Sequence, residues 1–213
     1  MMNLKRALSM AAILTLTLGG SRARADAAPA GTEALDITKG SNLWLEGDST
    51  LHKYKLDAKE LQVAPRLESG GAAGGAGLEA SAAKGGLKSL DVRVAVKGLS
   101  SGEGGLDSNM RKALSEDKFH EIRFQMDSYT SSPGTAAGSL DMKIKGRLQI
   151  AAVEKPIEVD AIGVGDGDVL HVTGSKELLM TDYGIKPPKF MLGAMSVRDP
   201  VTIHFDLRLA ATP

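Results

Sequence analysis

Residues 140 to 150 read Leu-Asp-Met-Lys-Ile-Lys-Gly-Arg-Leu-Gln-Ile, and no other stretch limits the fold as tightly. Leu140, Met142, Ile144, Leu148 and Ile150 share one parity, while Asp141, Lys143, Lys145, Arg147 and Gln149 share the other. Successive side chains of a strand point to opposite faces, so this segment has one dry face and one wet face. On a helix the same residues would scatter around the axis, so the period of two decides for a strand. Gly146 interrupts the dry row at its middle, where a barrel strand bends or bulges. A strand of this kind needs similar neighbours, and the chain supplies them.

Leu90, Val92, Val94 and Val96 alternate with charged residues, as do Ile122, Phe124 and Met126. Ile157, Val159 and Ala161 follow, and Val201, Ile203, Phe205, Leu207 and Leu209 form the cleanest closing strand. Leu43 and Leu45 flank Trp44 before the Glu46-Gly47-Asp48 turn signal, and Ser49 to Leu56 runs on as the same strand or a second one. Gly165-Asp166-Gly167-Asp168 makes a tight hairpin, and Ser131 to Gly134 makes a turn. Val153 to Pro156 is expected to be a connection, with Pro156 opening the next strand. Lys186-Pro187-Pro188 and Asp199-Pro200 are expected to force loops. Leu106 to Lys118 changes period: Asp107 or Ser108 can cap a short helix whose apolar stripe is Met110, Ala113 and Leu114. The sum is an all-β fold of about eight antiparallel strands with one short helix. An up-and-down barrel fits the order of segments best, with a sandwich second.

Two segments fall outside that pattern. Lys5 and Arg6 precede an apolar run, Ala7 to Leu18, and Ala23-Arg24-Ala25 offers a small-x-small cleavage site, so residues 1–25 read as a signal peptide. The run is too short to span a bilayer. Residues 26–40 read as a flexible mature terminus, and 41–211 as a single domain. Within it, Pro65 to Gly86 is rich in Gly and Ala, with almost nothing to bury, and reads as a mobile loop insertion.

Composition narrows the function. The 213 residues carry 26 basic and 26 acidic groups, and loss of the leader leaves 22 basic ones. A mildly acidic mature protein is a poor partner for nucleic acid. No cysteine is present, which removes disulfides, thiolate metal sites and a lipid-anchored cleavage site. His52, His120, His171 and His204 show no metal-binding spacing. Gly163 to Gly167 leads into strand residues, not a helix, so it is a turn and not a phosphate loop. No nucleophile elbow exists, and Ser49, Ser108 and Ser115 have no evident base, so the chain does not read as an enzyme.

The wording of several segments resembles the YceI-like family of exported proteins. The matching pieces are Glu46 to His52, Leu106 to Leu114 with Phe119 and Ile122 to Phe124, Gly146 to Ile157, Met180 to Pro188 and Asp199 to Leu209. They occur in the family's order between Leu43 and Leu209. The insert from Ser69 to Gly86 departs from it, and His120 stands where members often carry Pro. The resemblance implies an eight-stranded lipocalin-like barrel with a lengthwise apolar pocket, a periplasmic or secreted location and no catalysis. It implies as ligand a polyisoprenoid or other long-chain amphiphile, held non-covalently and without cofactor or metal. Each buried methylene contributes about 0.8 kcal/mol, so a long chain binds without many polar contacts.

Carried onto this sequence, Trp44, Tyr54, Phe124, Met142, Ile144, Leu148 and Ile185 become candidate ligand contacts. Met110 and Met180 add adaptable thioether wall, the Met110 helix and the Tyr183 loop cover a mouth, and His52 or Arg111 meets a polar head. No stable membrane anchor is expected, and a homodimer is left open. The alternative is a fully packed barrel serving as a structural or interaction module of the cell envelope, for a stress or redox partner.

Overall fold

The computed structural model describes residues 31–70, 77–190 and 195–212. The candidate leader and residues 26–30 lie outside them. Eight antiparallel staves follow one another in chain order and close into a barrel, with each stave beside the next and the last beside the first. The first is broken into β1 (Thr32–Ile37) and β2 (Asn42–Ser49), the second into β3 (Lys53–Ala58) and β4 (Leu61–Glu68). The third is β5 (Leu87–Ala95), interrupted by a 3-10 turn at Val96–Gly98 and resumed as β6 (Leu99–Ser100). The sheet then runs through β7 (Glu121–Pro133), β8 (Ser139–Ile150), β9 (Val153–Asp166) and β10 (Val169–Leu179). A two-residue strand, β11 (Lys189–Phe190), pairs with the start of β12 (Met195–Ala211). The closing strand β12 pairs with β10 on one edge and with β2 and β1 on the other. A closed barrel leaves no long unpaired edge, which is how an antiparallel meander avoids association.

Strand β8 behaves as its alternation requires. Its apolar parity is buried throughout and its charged parity is exposed. Outside, Lys143 reaches Asp160 at 2.7 Å and Lys145 reaches Glu158 at 3.5 Å. Gly146 does mark an irregularity, but the extra residue is in the neighbouring strand. Met126 pairs with Gly146 and Ser128 with Lys145, so Asp127 is bulged out of β7 and held by Arg147 at 3.1 Å. A Cβ on Gly146 would stand 2.6 Å from the Phe124 ring, so glycine lets that ring lie flat against the wall. The same close approach recurs where Tyr54 crosses Gly47 and Phe205 crosses Gly174.

Several sequence expectations are corrected. The barrel begins at Thr32, because Leu35 is buried and β1 pairs with both β4 and β12. The segment 65–86, expected to be a mobile loop, contains the end of β4 and a helix, α1 (Gly77–Ala83), while 71–76 lie outside the described residues. The described residues thus contain two α-helices, not one. Leu78 and Ala82 of α1 are 2% and 0% exposed and pack against Leu35, Leu67, Leu140, Leu170 and Leu209, so α1 plugs one end of the barrel. Its last carbonyls, which lack helical partners, accept from Tyr129 and Ser131: Tyr129 Oη donates to Ala82 O at 2.7 Å. Proline also proved compatible with strand at two places. Pro156 is the fourth residue of β9, and Asp199-Pro200 lies within β12, where the register with β2 shifts between Val197 and Val201.

The second helix, α2 (Gly104–Ala113), covers the opposite end. It starts earlier than expected and neither Asp107 nor Ser108 caps it. Asp107, 5% exposed under a thin cover of loop, reaches back to the segment before the helix. It accepts from the Ser101 backbone N–H and hydroxyl at 2.7 Å each and from the Ser100 hydroxyl at 2.9 Å. Burial pushes this carboxyl up, but those hydrogen bonds outweigh it and leave it below its usual range. A 3-10 turn at Met180–Tyr183 completes this end of the molecule.

Candidate functional site: an apolar cavity along the barrel axis

The inward parity of the staves leaves free space along the axis. The larger lobe, about 150 Å³, is bounded by Leu43 and Leu45 of β2, Leu87 to Val94 of β5, and Ile122 and Phe124 of β7. Met142, Ile144 and Leu148 of β8 and Val172 and Leu178 of β10 continue the lining, and Ile203, Phe205, Leu207 and Leu209 of β12 close the ring. A second lobe of about 100 Å³ lies under α2, between Tyr54, Met110, Leu114, Met180, Tyr183 and Ile185. Leu45, Leu99, Ile122, Leu178 and Ile203 border both lobes, so the two adjoin along the axis. Every residue around the larger lobe is apolar except Lys176. A space of this kind excludes ions and favours hydrocarbon, since unpaired polar groups would find no partner in it.

The twelve candidate contacts divide by position. Phe124, Met142, Ile144 and Leu148 line the larger lobe, and Tyr54, Met110, Met180, Tyr183 and Ile185 line the second. Trp44, His52 and Arg111 border neither lobe. Leu43 and Leu45 point inward, so strand parity sends Trp44 outward, where it stacks on His204 at 5.1 Å between ring centroids. The Trp44 indole N–H donates to Glu46 at 3.0 Å, and the Lys55 amine stands 4.9 Å from its ring. His52 is exposed in the turn between β2 and β3, its Nδ1 2.8 Å from the Lys53 carbonyl. It borders a small polar hollow with Ser49, Tyr54, Glu103 and Asn109 on the outside of the α2 end. Arg111 donates from Nε to the Asp107 carbonyl at 3.3 Å along its own helix.

Tyr54 stands between that hollow and the second lobe, so it forms the polar margin of an apolar space. Burial, and after it the Asp48 carboxylate, pushes its phenol up to about 12, which keeps it a neutral hydrogen-bond donor. Tyr183 is also pushed up by burial and by Asp182. Sequence reading missed Lys176. It follows Val172 and Gly174 on the inward parity of β10, and that parity was the signal available to find it.

No grouping of three or more His, Asp or Glu residues suited to a metal occurs among the described residues. The closest imidazole–carboxylate pair among the described residues, His171 Nε2 with Asp206 Oδ1 at 2.6 Å, lies on the outer face, away from the cavity. Among the described residues no helix is long and apolar enough to cross a membrane.

The profile of the YceI-like domain matches residues 54–209, well over half of the chain. The chain belongs to the YceI-like family. The match spans β3 to β12 and so takes in both lobes of the cavity. Among solved structures, BcnA of Burkholderia cenocepacia superposes with a TM-score of 0.62 at 13% identity, covering 81% of this chain and 99% of that one. A polyisoprenoid binding domain of Saccharophagus degradans, implicated in plant cell wall breakdown, gives 0.59 at 12% identity, covering 85% and 99%. A Campylobacter jejuni YceI protein gives 0.56 at 15% identity, covering 75% and 86%. These likenesses establish the closed YceI-type barrel. No curated protein matches the chain.

Proposed function

We propose that this YceI-like protein is an exported lipid-binding barrel that sequesters or carries a polyisoprenoid or other long-chain amphiphile. The observation that carries this reading is the pair of adjoining lobes along the axis, the larger lined by apolar residues apart from Lys176 and the second apart from Tyr54 and Tyr183. A long unbranched or prenyl chain matches it because each methylene leaving water contributes about 0.8 kcal/mol without requiring a polar partner. The Saccharophagus degradans relative in fold, described as polyisoprenoid-binding, supports the same class of ligand. The leader-like residues 1–25 support a periplasmic or secreted site of action. On this reading the chain works by binding.

The test is to purify the protein without added lipid, extract it with organic solvent and identify any stoichiometric lipid by mass spectrometry. A long-chain lipid near one per chain is expected. A native mass equal to the bare polypeptide, together with no uptake of prenyl or fatty ligands, rejects the carrier and leaves a packed barrel acting as an interaction module.

A further inference from the structure

The barrel wall is incomplete in one place. Strands β9 and β10 are paired from Asp166–Val169 as far as Asp160–Ser175. Beyond that point β9 continues to Val153 on β8, and β10 continues to Leu179 on β12, without pairing to each other. Pro156, which has no N–H to offer a ladder, falls in this unpaired length. A side opening of about 300 Å³ results, with Ile157 and Leu178 on its inner side. Its far end is held by Lys155, whose amine meets Asp182 at 3.0 Å and lies 5.8 Å from the Tyr183 ring.

Lys176 borders both this opening and the larger lobe of the cavity. It sits on the inward parity, yet its charge reaches the outer face. Asp160, outside the barrel, is held below its usual range first by Lys143 and also by the charge of Lys176. Bordering both spaces, the side chain has the apolar wall on one side and the gap on the other, the place that long cationic side chains take at apolar boundaries. Apart from Glu177, the other charges around the gap are paired. Lys155 is paired with Asp182, and Glu158 with Lys143 and Lys145, whereas Lys176 has no hydrogen bond or ion pair within 4 Å among the described residues.

We infer that the opening between β9 and β10 is a head-group site, in which Lys176 pairs with the carboxylate of a fatty-acid-like amphiphile whose chain occupies the cavity. This rests on the lipid-binding reading above and adds to it the class of head group and the place where the head stands. The alternative place, the hollow at the α2 end, presents Glu103 and His52 but no lysine or arginine to a ligand. A singly charged carboxylate suits the side opening better than a phosphate or pyrophosphate. Lys155 is already paired, which leaves one amine for one charge, and the carboxylates of Glu158, Glu177 and Asp182 around the opening disfavour a doubly charged head more than a singly charged one. Entry through the wall also spares the polar head from crossing the apolar axis, where its desolvation would go uncompensated.

The experiment titrates the lipid-stripped protein with three probes of one chain length: oleate, oleyl alcohol and oleyl phosphate. Wild type is compared with Lys176→Met, which keeps the length and apolar stem, and with Lys176→Arg, which keeps the charge. Wild type should favour oleate over oleyl alcohol by about tenfold, the scale of one charge-assisted hydrogen bond. Lys176→Met should lose that preference, its affinity for oleate falling to the level of its own affinity for oleyl alcohol, and Lys176→Arg should retain it. Equal binding of oleate and oleyl alcohol by wild type, or a preference that survives in Lys176→Met, overturns the head-group site and leaves the carrier standing. Tighter binding of oleyl phosphate than oleate overturns the carboxylate assignment. Failure of wild type to bind any of the three probes removes the carrier reading and this site with it. Circular dichroism confirms that each variant is folded, and Lys176→Gln replaces Lys176→Met should that variant fail.

Discussion

At the scale of single residues, the side chains that matter most are those that hold irregular backbone in place. Asp107 is one. Its carboxylate gathers three donors from Ser100 and Ser101, so Asp107→Ala leaves them unpaired beneath α2 and should cost about 1–3 kcal/mol. The urea midpoint, with unchanged slope, is the measurement. The same residue predicts a pH dependence. Its folded carboxyl lies below the ordinary 3.8, so its contribution is complete above that value and is lost as pH falls through the lower, folded one. Between pH 5 and the acid range, wild type should therefore lose more stability than Asp107→Asn, which carries no titrating group there. Gly146 is the other. Gly146→Ala places a methyl against the Phe124 ring and should cost about 1–3 kcal/mol, read as a lower thermal midpoint.

At the scale of elements, legibility followed the physical signal. Strand β8 could be read to the residue because burial on one side and solvent on the other impose a period of two along twelve positions. Helix α1 could not. Its seven residues carry only Leu78 and Ala82 as apolar anchors, four positions apart, within a Gly- and Ala-rich stretch. One turn with one large apolar residue is no periodicity, and what holds it is tertiary: the barrel end and the hydroxyls of Tyr129 and Ser131. Because Leu78 is the plug, Leu78→Ala should cost about 2–5 kcal/mol, with hydrogen exchange rising first in α1 and the adjoining end of β10. The candidate contacts show the same division. Those taken from strand parity, such as Met142 and Ile144, line the cavity, whereas Trp44 was grouped with Leu43 and Leu45 against its parity and stands outside. His52 and Arg111, assigned to a polar head through resemblance alone, lie outside both lobes because a turn and an exposed helix face carry them.

At the scale of the whole molecule, the barrel combines a wall of large aliphatic side chains with free space that they do not fill. That arrangement predicts an uncommon response to added bulk. Val172→Phe enlarges a side chain facing the larger lobe, so it should leave thermal stability within about 1 kcal/mol of wild type, where a packed core would lose about 1–3. The same variant should reduce the amount of co-purified lipid, measured by solvent extraction and mass spectrometry. A large loss of stability with unchanged lipid content would contradict the cavity.

The seam between β2 and β12 carries a consequence for how this barrel comes to be. Leu35 pairs with Ala211 and Leu45 with Ile203, so the ring is sealed by partners from the two extremes of the described chain. Loop-closure entropy makes such a pairing late, and topologies of this contact order fold in milliseconds to seconds. Until β12 docks, the earlier strands are an open sheet with a wet apolar face, and no cavity exists to receive a lipid. The molecule carries its own reporter of that last step. Trp44, the single tryptophan of the chain, stacks on His204 across this seam, so its fluorescence during refolding times the moment at which the binding site is created.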